Sequence, residues 1–272
     1  MAFGNKNLKN ISKNLLAQKA RTDFLLREDS QFNVIEAFRK FKAALSVSIP
    51  KVEEGGVSIM VTSSYPEEGK STISVNLAMM FAMSSHAKVI VVDTDIRKGR
   101  IAKFFKASRR PGLSEYLSGQ ITLEQAIRNS GVEESLDYIT CGTHSPKPYE
   151  MLESSAMKKL DKLLRERYDY VIYDTPPMLL VSDALAVAPI VDGTVVVARH
   201  LRSYMNDLAK VLNTLRFAKI NILGVVVNDY QREVKKILGY KQYYSAKYYA
   251  YGYGKKTEDN ESEENKTEVK AE

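Results

Sequence analysis

Lys70 and Ser71 are the residues around which this chain can do chemistry. They lie in Thr62-Ser63-Ser64-Tyr65-Pro66-Glu67-Glu68-Gly69-Lys70-Ser71-Thr72. The apolar, β-prone run Val57-Ser58-Ile59-Met60-Val61 precedes this stretch, and a helical apolar pattern from Ile73 to Phe81 follows it. A strand, a tight loop and a helix N-terminus make an anion site, because free backbone N–H groups and the helix dipole both point at bound phosphates. The N–H groups of residues 67–71 would cradle those phosphates; Pro66 has none to offer. Lys70 adds a mobile positive charge for the β- and γ-phosphates, and the Ser71 hydroxyl is placed to ligate Mg²⁺. Glu68, Gly69, Lys70, Ser71 and Thr72 are thus the candidate nucleotide-binding residues. The strict G-x-x-x-x-G-K-[ST] pattern fails at its first glycine, where Ser64 stands. Gly-Lys-Ser-Thr alone also suits a surface turn before an amphipathic helix; the flanking strand and helix favour the phosphate loop.

Two further stretches carry carboxylates. Lys88-Val89-Ile90-Val91-Val92-Asp93-Thr94-Asp95-Ile96-Arg97 reads as a buried strand ending in Asp93, Asp95 and Arg97. Tyr168-Asp169-Tyr170-Val171-Ile172-Tyr173-Asp174-Thr175-Pro176-Pro177 is a second apolar run ending in Asp174. In an open parallel sheet, ligands bind beyond the carboxyl ends of the strands. Lys70, Asp93 and Asp174 are therefore expected to converge on one Mg²⁺-nucleotide. A single Asp after a strand is more often a cap or turn residue, but three strand-end sites of suitable type are hard to explain as caps.

The elements that must position these residues follow from periodicity. An amphipathic helix is expected from Val34 to Ser46, ended by Pro50. Asp93 to Phe104 reads as a turn region, Gly112 to Ser130 as two short helices, and Leu136 to Thr140 as a strand. Tyr149 to Tyr168 reads as a helix interrupted near Ser154-Ser155. Strands recur at Val171 to Tyr173, Gly193 to Ala198 and Ile222 to Asn228, separated by helical segments. Such repetition implies an α/β fold with a mostly parallel, doubly wound sheet.

The chain has 272 residues, enough for one large α/β domain plus polar ends. No run approaches the roughly 18 apolar residues that span a bilayer, and the start lacks an apolar signal core. The single Cys141 excludes a disulfide framework and a cysteine-rich metal site. A cytoplasmic protein is expected. The net charge of +7 is uneven. Residues 1–27 carry Lys6, Lys9, Lys13, Lys19, Arg21 and Arg27 against Asp23 alone, which suits an anionic membrane face, an acidic partner or a solvated arm. The end carries Glu258, Asp259, Glu261, Glu263, Glu264, Glu268 and Glu272 against four lysines. No nucleic-acid module is present. The expected organisation is a basic arm (1–33), a nucleotide-binding domain (34–238), a tyrosine cluster (239–254) and an acidic tail (255–272). The cluster holds Tyr240, Tyr243, Tyr244, Tyr248, Tyr249, Tyr251 and Tyr253 in low-complexity sequence that lacks large aliphatic residues, so disorder is expected. Beside a nucleotide site, these hydroxyls read as phosphoacceptors more readily than as an adhesive tail or an RNA-stacking surface.

Together these motifs resemble the bacterial tyrosine kinase (BY-kinase) family, in its two-chain cytoplasmic form, from about Val34 to Tyr253. The resemblance rests on Tyr65–Thr72, on Asp93-Thr94-Asp95-Ile96-Arg97, on Asp174-Thr175-Pro176-Pro177 and on the terminal tyrosines. It implies a deviant P-loop NTPase fold of the partition/Min type. It also implies ATP-dependent autophosphorylation of the tail, and a role in capsular or extracellular polysaccharide synthesis and export. Lys70 and Ser71 match the family's first phosphate-site motif, Asp93 and Asp95 its second, which supplies metal contacts and the base, and Asp174 its third. Glu36, Arg39 and Lys42 resemble its subunit-contact motif, with Lys42 where arginine is usual; lysine lacks arginine's planar fork. Glu67 stands where glycine is usual, and Lys147 where asparagine is common. The resemblance further implies a ring-shaped homo-oligomer when unphosphorylated and a membrane-bound activator or polysaccharide co-polymerase that recruits the chain to the inner membrane face. A cognate tyrosine phosphatase is a further expected partner.

The expected cofactors are ATP and Mg²⁺. The expected roles are Ser71 on the metal directly, Asp174 on it through water, Asp93 on the metal or as acceptor of the tyrosine proton, and Asp95 in support with metal or water. Asn228 suits either the adenine base or a turn cap. Two other readings remain: a partition/Min-type switch ATPase, which carries a second lysine where Tyr65 stands here, and an inactive adaptor whose site Glu67 has impaired.

Overall fold

The computed structural model describes residues 25–50, 55–85 and 87–230. The first part of the basic arm, residues 231–238, the tyrosine cluster and the acidic tail lie outside the described residues. Among the described residues seven strands form one sheet: β1 (Val57–Ser63), β2 (Val89–Asp93), β3 (Arg128–Asn129), β4 (Leu136–Ile139), β5 (Tyr170–Asp174), β6 (Gly193–Arg199) and β7 (Ile222–Asn228). Their order across the sheet is β3-β4-β2-β5-β1-β6-β7. Every pairing is parallel except the short β3–β4 edge. The chain runs from β1 out to β2 and β4, then returns through β5 and crosses to β6 and β7. The carboxyl ends of β1, β2 and β5 open at this reversal, where doubly wound sheets hold their ligands.

Both faces of the central strands are buried, which explains their unbroken apolar runs. Alternate residues face opposite cores. Ile59, Val61, Val89, Val91, Ile172, Val195 and Val197 join one apolar cluster. Met60, Ile90, Val92, Val171, Tyr173 and Val196 join the other. The first cluster includes Leu45 of α1 (Phe32–Ser48) and much of α2 (Lys70–Ser85). The second cluster includes residues of α7 (Ser155–Arg165), α8 (Asp183–Val187) and α9 (Met205–Phe217). Val75, Leu77, Ala78, Phe81 and Ala82 of α2 are fully buried, so this helix runs through the core and not along a surface.

The long helix expected from Tyr149 to Tyr168 is two helices. α6 (Pro148–Glu153) ends at Ser154, whose hydroxyl accepts from the Met157 N–H at 3.3 Å and caps α7. The turn region after Asp93 closes in a one-turn helix, α3 (Ile101–Phe104). The two short helices expected after Gly112 are α4 (Leu113–Leu117) and α5 (Leu123–Ala126). Leu25 and Leu26, which the sequence places in the basic arm, are buried in the first core, and the Leu26 N–H donates to Asn76 Oδ1 at 2.7 Å. No helix among the described residues is long and apolar enough to cross a membrane.

On α1, Glu36 and Arg39 pair with each other at 2.6 Å. The Lys42 ammonium donates to Ser84 Oγ at 2.6 Å and lies 5.7 Å from the centre of the Phe81 ring. Phe81 in turn stacks on Tyr170, with ring centres 3.9 Å apart. This ring ties α1, α2 and β5 together. Phe81→Ala is expected to cost about 3–5 kcal/mol, read by urea unfolding; a loss below about 1 kcal/mol would show that the ring does not join these elements.

Candidate active site

The phosphate loop runs from the end of β1 to the first turn of α2. Two residues in it have left-handed backbones, Glu67 at φ 66° and Gly69 at φ 97°. Gly69 is required twice over, since a Cβ there would lie 1.9 Å from Asn228 Nδ2. Glu67 takes a conformation that glycine adopts freely and other residues adopt at a cost of roughly 1–2 kcal/mol. This gives a backbone reason why glycine would be usual at this position.

The loop is held from behind by β6, β7 and the turn after β6. Arg199 Nη1 donates to the Glu67 carbonyl at 3.1 Å, while Nε and Nη2 of the same guanidinium donate to Asp229. Asn228 Nδ2 donates to the Glu68 carbonyl at 3.0 Å. In a trans peptide the N–H opposes the C=O. Fixing the carbonyls of Glu67 and Glu68 on this side therefore turns the Glu68 and Gly69 N–H groups to the other. The Glu68 carboxylate is buried and accepts from the Tyr65 N–H at 2.9 Å and from the Ser203 hydroxyl. Its side chain braces the loop; its contribution to a phosphate would come from the backbone alone. Arg199 and Ser203 were not singled out by sequence. The position of Arg199 at the end of a strand was the available signal.

Asp93 and Asp174 are register partners at the ends of β2 and β5, and both are completely buried. Burial above all, and then the neighbouring Asp174 charge, push the Asp93 carboxyl well above the ordinary carboxylate range. Burial also raises Asp174, opposed by the Lys70 charge and the nearby Ser71 hydroxyl. Lys70 sits over this pair, with its ammonium 3.6 Å from Asp95 Oδ2. Asp93 is held by backbone donors, the Asp95 N–H at 3.2 Å and the Ile101 N–H at 3.0 Å. Behind it, a Cβ at residue 99 would come within 2.5 Å of Asp93 Oδ2 and 2.4 Å of Cys141 Sγ, so only glycine fits. The Cys141 thiol is pushed up to about 12, mainly by burial, and is not a nucleophile at neutral pH.

These groups underlie a cavity of about 560 Å³ lined by Pro66, Glu67, Gly69, Lys70, Ser71 and Thr72 of the loop. Asp95, Arg97, Asn228 and residues after β5 line its other sides. Asp95 faces this cavity, whereas Asp93 and Asp174 lie beneath its floor. Arg97, quoted in the second motif without a role, pairs through Nε with the buried Asp183 at 2.7 Å and docks the β2–α3 loop on α8. Lys147 precedes α6 and does not line the cavity.

No three His, Cys, Asp or Glu side chains among the described residues form a metal cage. Mg²⁺ needs none, since it is usually held by one or two carboxylates, waters and substrate phosphates. The donors suit that mode. Asp174 Oδ1 accepts from Ser74 at 3.2 Å, but Oδ2 is buried with no hydrogen-bond partner among the described residues. A cation bound through Ser71 and Asp174 would meet that oxygen's unmet demand.

Comparison with known proteins places this geometry. Residues 59–223 match the family described as an AAA domain. The chain is 33% identical to the tyrosine-protein kinase YwqD of Bacillus subtilis over 86% of its length and 94% of that protein. It is 34% identical to the tyrosine-protein kinase ptk of Acinetobacter johnsonii, covering 80% of this chain but 29% of that longer protein. Among solved structures, it superposes on the kinase domain of the Escherichia coli tyrosine kinase ETK with a TM-score of 0.69 and 34% identity, over 74% of this chain and 77% of that one. With a tyrosine-protein kinase matched at 33% identity over nearly its full length and a kinase domain that superposes at 34% identity, the chain belongs to the bacterial tyrosine-protein kinase family.

Proposed function

We propose that the chain is an ATP-dependent protein-tyrosine kinase that phosphorylates its own cluster from Tyr240 to Tyr253. The observation that carries this reading is the gathering of Lys70 and Asp95 on the wall of one cavity with Asp93 and Asp174 beneath its floor, on a chain with seven clustered tyrosines. The tyrosine oxygen attacks the γ-phosphorus of ATP, the bond to the ADP oxygen breaks in line, and the phenolic proton passes to a carboxylate. The Glu68 and Gly69 N–H groups and the Lys70 ammonium orient the phosphates and offset their charge. Ser71 and Asp174 would hold Mg²⁺, which neutralises phosphate charge when bound. We assign proton acceptance to Asp93. A phenol of pKa about 10 makes a carboxylate a weak base, so the proton moves together with the phosphoryl group. The present N–H contacts of Asp93 must loosen for this, and catalytic hydrogen bonds commonly form only in the loaded complex. Asp95, on the cavity wall, holds Lys70.

We further propose that the protein acts in the cytoplasm, at the inner membrane face, through a membrane-bound activator, within capsular or extracellular polysaccharide synthesis and export. It associates with copies of itself through Glu36 and Arg39 of α1, and a tyrosine phosphatase resets it. Lys42, which donates to Ser84 within the chain, is the third residue of that contact.

Incubation of the full chain with Mg²⁺-ATP and an activator peptide is expected to add several phosphates, all on tyrosine, mapped by mass spectrometry to 240–253. Phosphate only on serine or threonine would overturn this reading, and released phosphate without phosphotyrosine would favour a switch ATPase instead. Lys70→Met and Asp93→Asn should each lower the rate at least about 10²-fold while the fold persists by circular dichroism; near wild-type activity would remove that residue's assignment. Glu67→Gly relieves a left-handed backbone and removes a carboxylate beside the phosphates. It is expected to tighten Mg²⁺-ATP binding about three- to tenfold in equilibrium titration, and weaker binding would contradict this account of the loop.

A further inference from the structure

The charges around the cavity are unevenly satisfied. On its floor and inner walls every cation has a partner: Lys70 with Asp95, Arg97 with Asp183, Arg199 with Asp229. The β2–α3 loop adds Lys98 and Arg100 to the lining, and α3 adds Lys103, which has a partner of its own. Lys98 is exposed and Arg100 half-buried. Neither side chain has a hydrogen bond or ion pair among the described residues. Among the described residues, Glu67 of the phosphate loop is the one lining acid whose side chain has no ion pair or hydrogen bond. The lip formed by β2–α3 therefore carries uncompensated positive charge beyond the groups that the nucleotide needs. Next to this lip the cavity is apolar: Pro176, Pro177, Leu180 and Val181 line it, and Leu180 is 56% exposed. An aromatic ring beside carboxylates is the chemistry that such a surface fits.

We propose that Lys98 and Arg100 dock carboxylates that follow the acceptor tyrosine, so that the substrate class is tyrosine in a segment with a run of acidic residues on its C-terminal side. This inference rests on the kinase reading above. The chain carries such a segment: Glu258, Asp259, Glu261, Glu263 and Glu264 begin five residues after Tyr253. Five residues span at most roughly 17 Å, so a tyrosine in the cavity leaves the first carboxylates within reach of its lip. Exposed charge pairs are individually weak and screened by salt; several together set a preference and do not create an absolute requirement.

The test uses the full chain in four forms. These are wild type, Lys98→Ala with Arg100→Ala, a tail-neutral form (Glu258→Gln, Asp259→Asn, Glu261→Gln, Glu263→Gln, Glu264→Gln), and the two sets combined. The initial rate of tail phosphorylation is measured in each, together with Mg²⁺-ADP affinity. Each set alone is expected to slow tail phosphorylation about fivefold, and the combination no further, since both remove one interaction. Mg²⁺-ADP affinity should stay within about twofold, and high salt should erase the wild-type advantage. Losses that multiply to about 25-fold, no loss at all, or weakened Mg²⁺-ADP binding in the Lys98/Arg100 variant would each overturn the proposal; the last would give the lip to the nucleotide. A labelled peptide of residues 248–264 reads docking without turnover: it should bind the Lys98/Arg100 variant about fivefold more weakly, and equal affinities would overturn the proposal whatever the rates. Absence of phosphotyrosine in wild type despite that peptide selectivity would instead count against the kinase reading.

Discussion

Two carboxylates placed side by side in the core govern the rest of this molecule. Parallel pairing of β2 with β5 brings Asp93 and Asp174 into register at zero exposure. Like charges so close and so dry cannot both be ionised cheaply. The fold answers in part. Lys70 stands over the pair, Ser74 donates to one oxygen of Asp174, and the Asp95 and Ile101 N–H groups donate to Asp93. It leaves Asp174 Oδ2 without a hydrogen-bond partner among the described residues. A site arranged only for stability would have filled this place with apolar side chains. Retained carboxylates with raised pKa values mark a site that has work for them.

The sheet order explains how Lys70 comes to stand there. β1 lies next to β5, which lies next to β2, so the helix that starts after β1 begins above both aspartates. The loop between β1 and α2 is fixed from the opposite side by Arg199, Ser203 and Asn228. That brace leaves Glu68 and Gly69 N–H groups for an anion. It also fixes Glu67 in a left-handed conformation, so the loop carries both strain and an added negative charge. The loop is thus preorganised by neighbours distant in sequence, as sites that stabilise developing charge require.

Much of this was legible in the sequence, because the signals were local. Apolar runs ending in Asp93 and Asp174, and a glycine-lysine pair between strand and helix, each lie within a dozen residues. Their convergence followed from the rule that parallel sheets bind ligands at strand ends. What was not legible depends on contacts between distant segments. The two-residue β3 exists only because Arg128 and Asn129 pair with β4. α3 is one turn long and leaves no periodicity. Arg199 and Ser203 brace the phosphate loop across more than 130 residues. The motif that joins Lys42 to Glu36 and Arg39 gave no sign that its ammonium reaches the Phe81 ring and the Ser84 hydroxyl on the next helix. The carboxylate motif gave no hint that Asp95 faces the cavity while Asp93 lies below it, since that depends on how the β2–α3 loop folds over Asp93.

The central claim is that the buried carboxylate pair is a cost of stability carried for a metal–nucleotide site. The direct measurement is the unfolding midpoint of wild type and Asp174→Asn, each alone and with saturating Mg²⁺-ADP, at pH 8. Burial raises the native pKa of Asp93 and Asp174. The folded state therefore holds these protons more tightly than the unfolded chain, and stability is lost as pH rises through the raised values. Without ligand, Asp174→Asn should be at least as stable as wild type at this pH. With Mg²⁺-ADP, wild type should gain several degrees and the variant much less, because binding to the native state stabilises in proportion to affinity. A variant that is clearly less stable alone, yet gains as much from Mg²⁺-ADP as wild type does, would contradict the account.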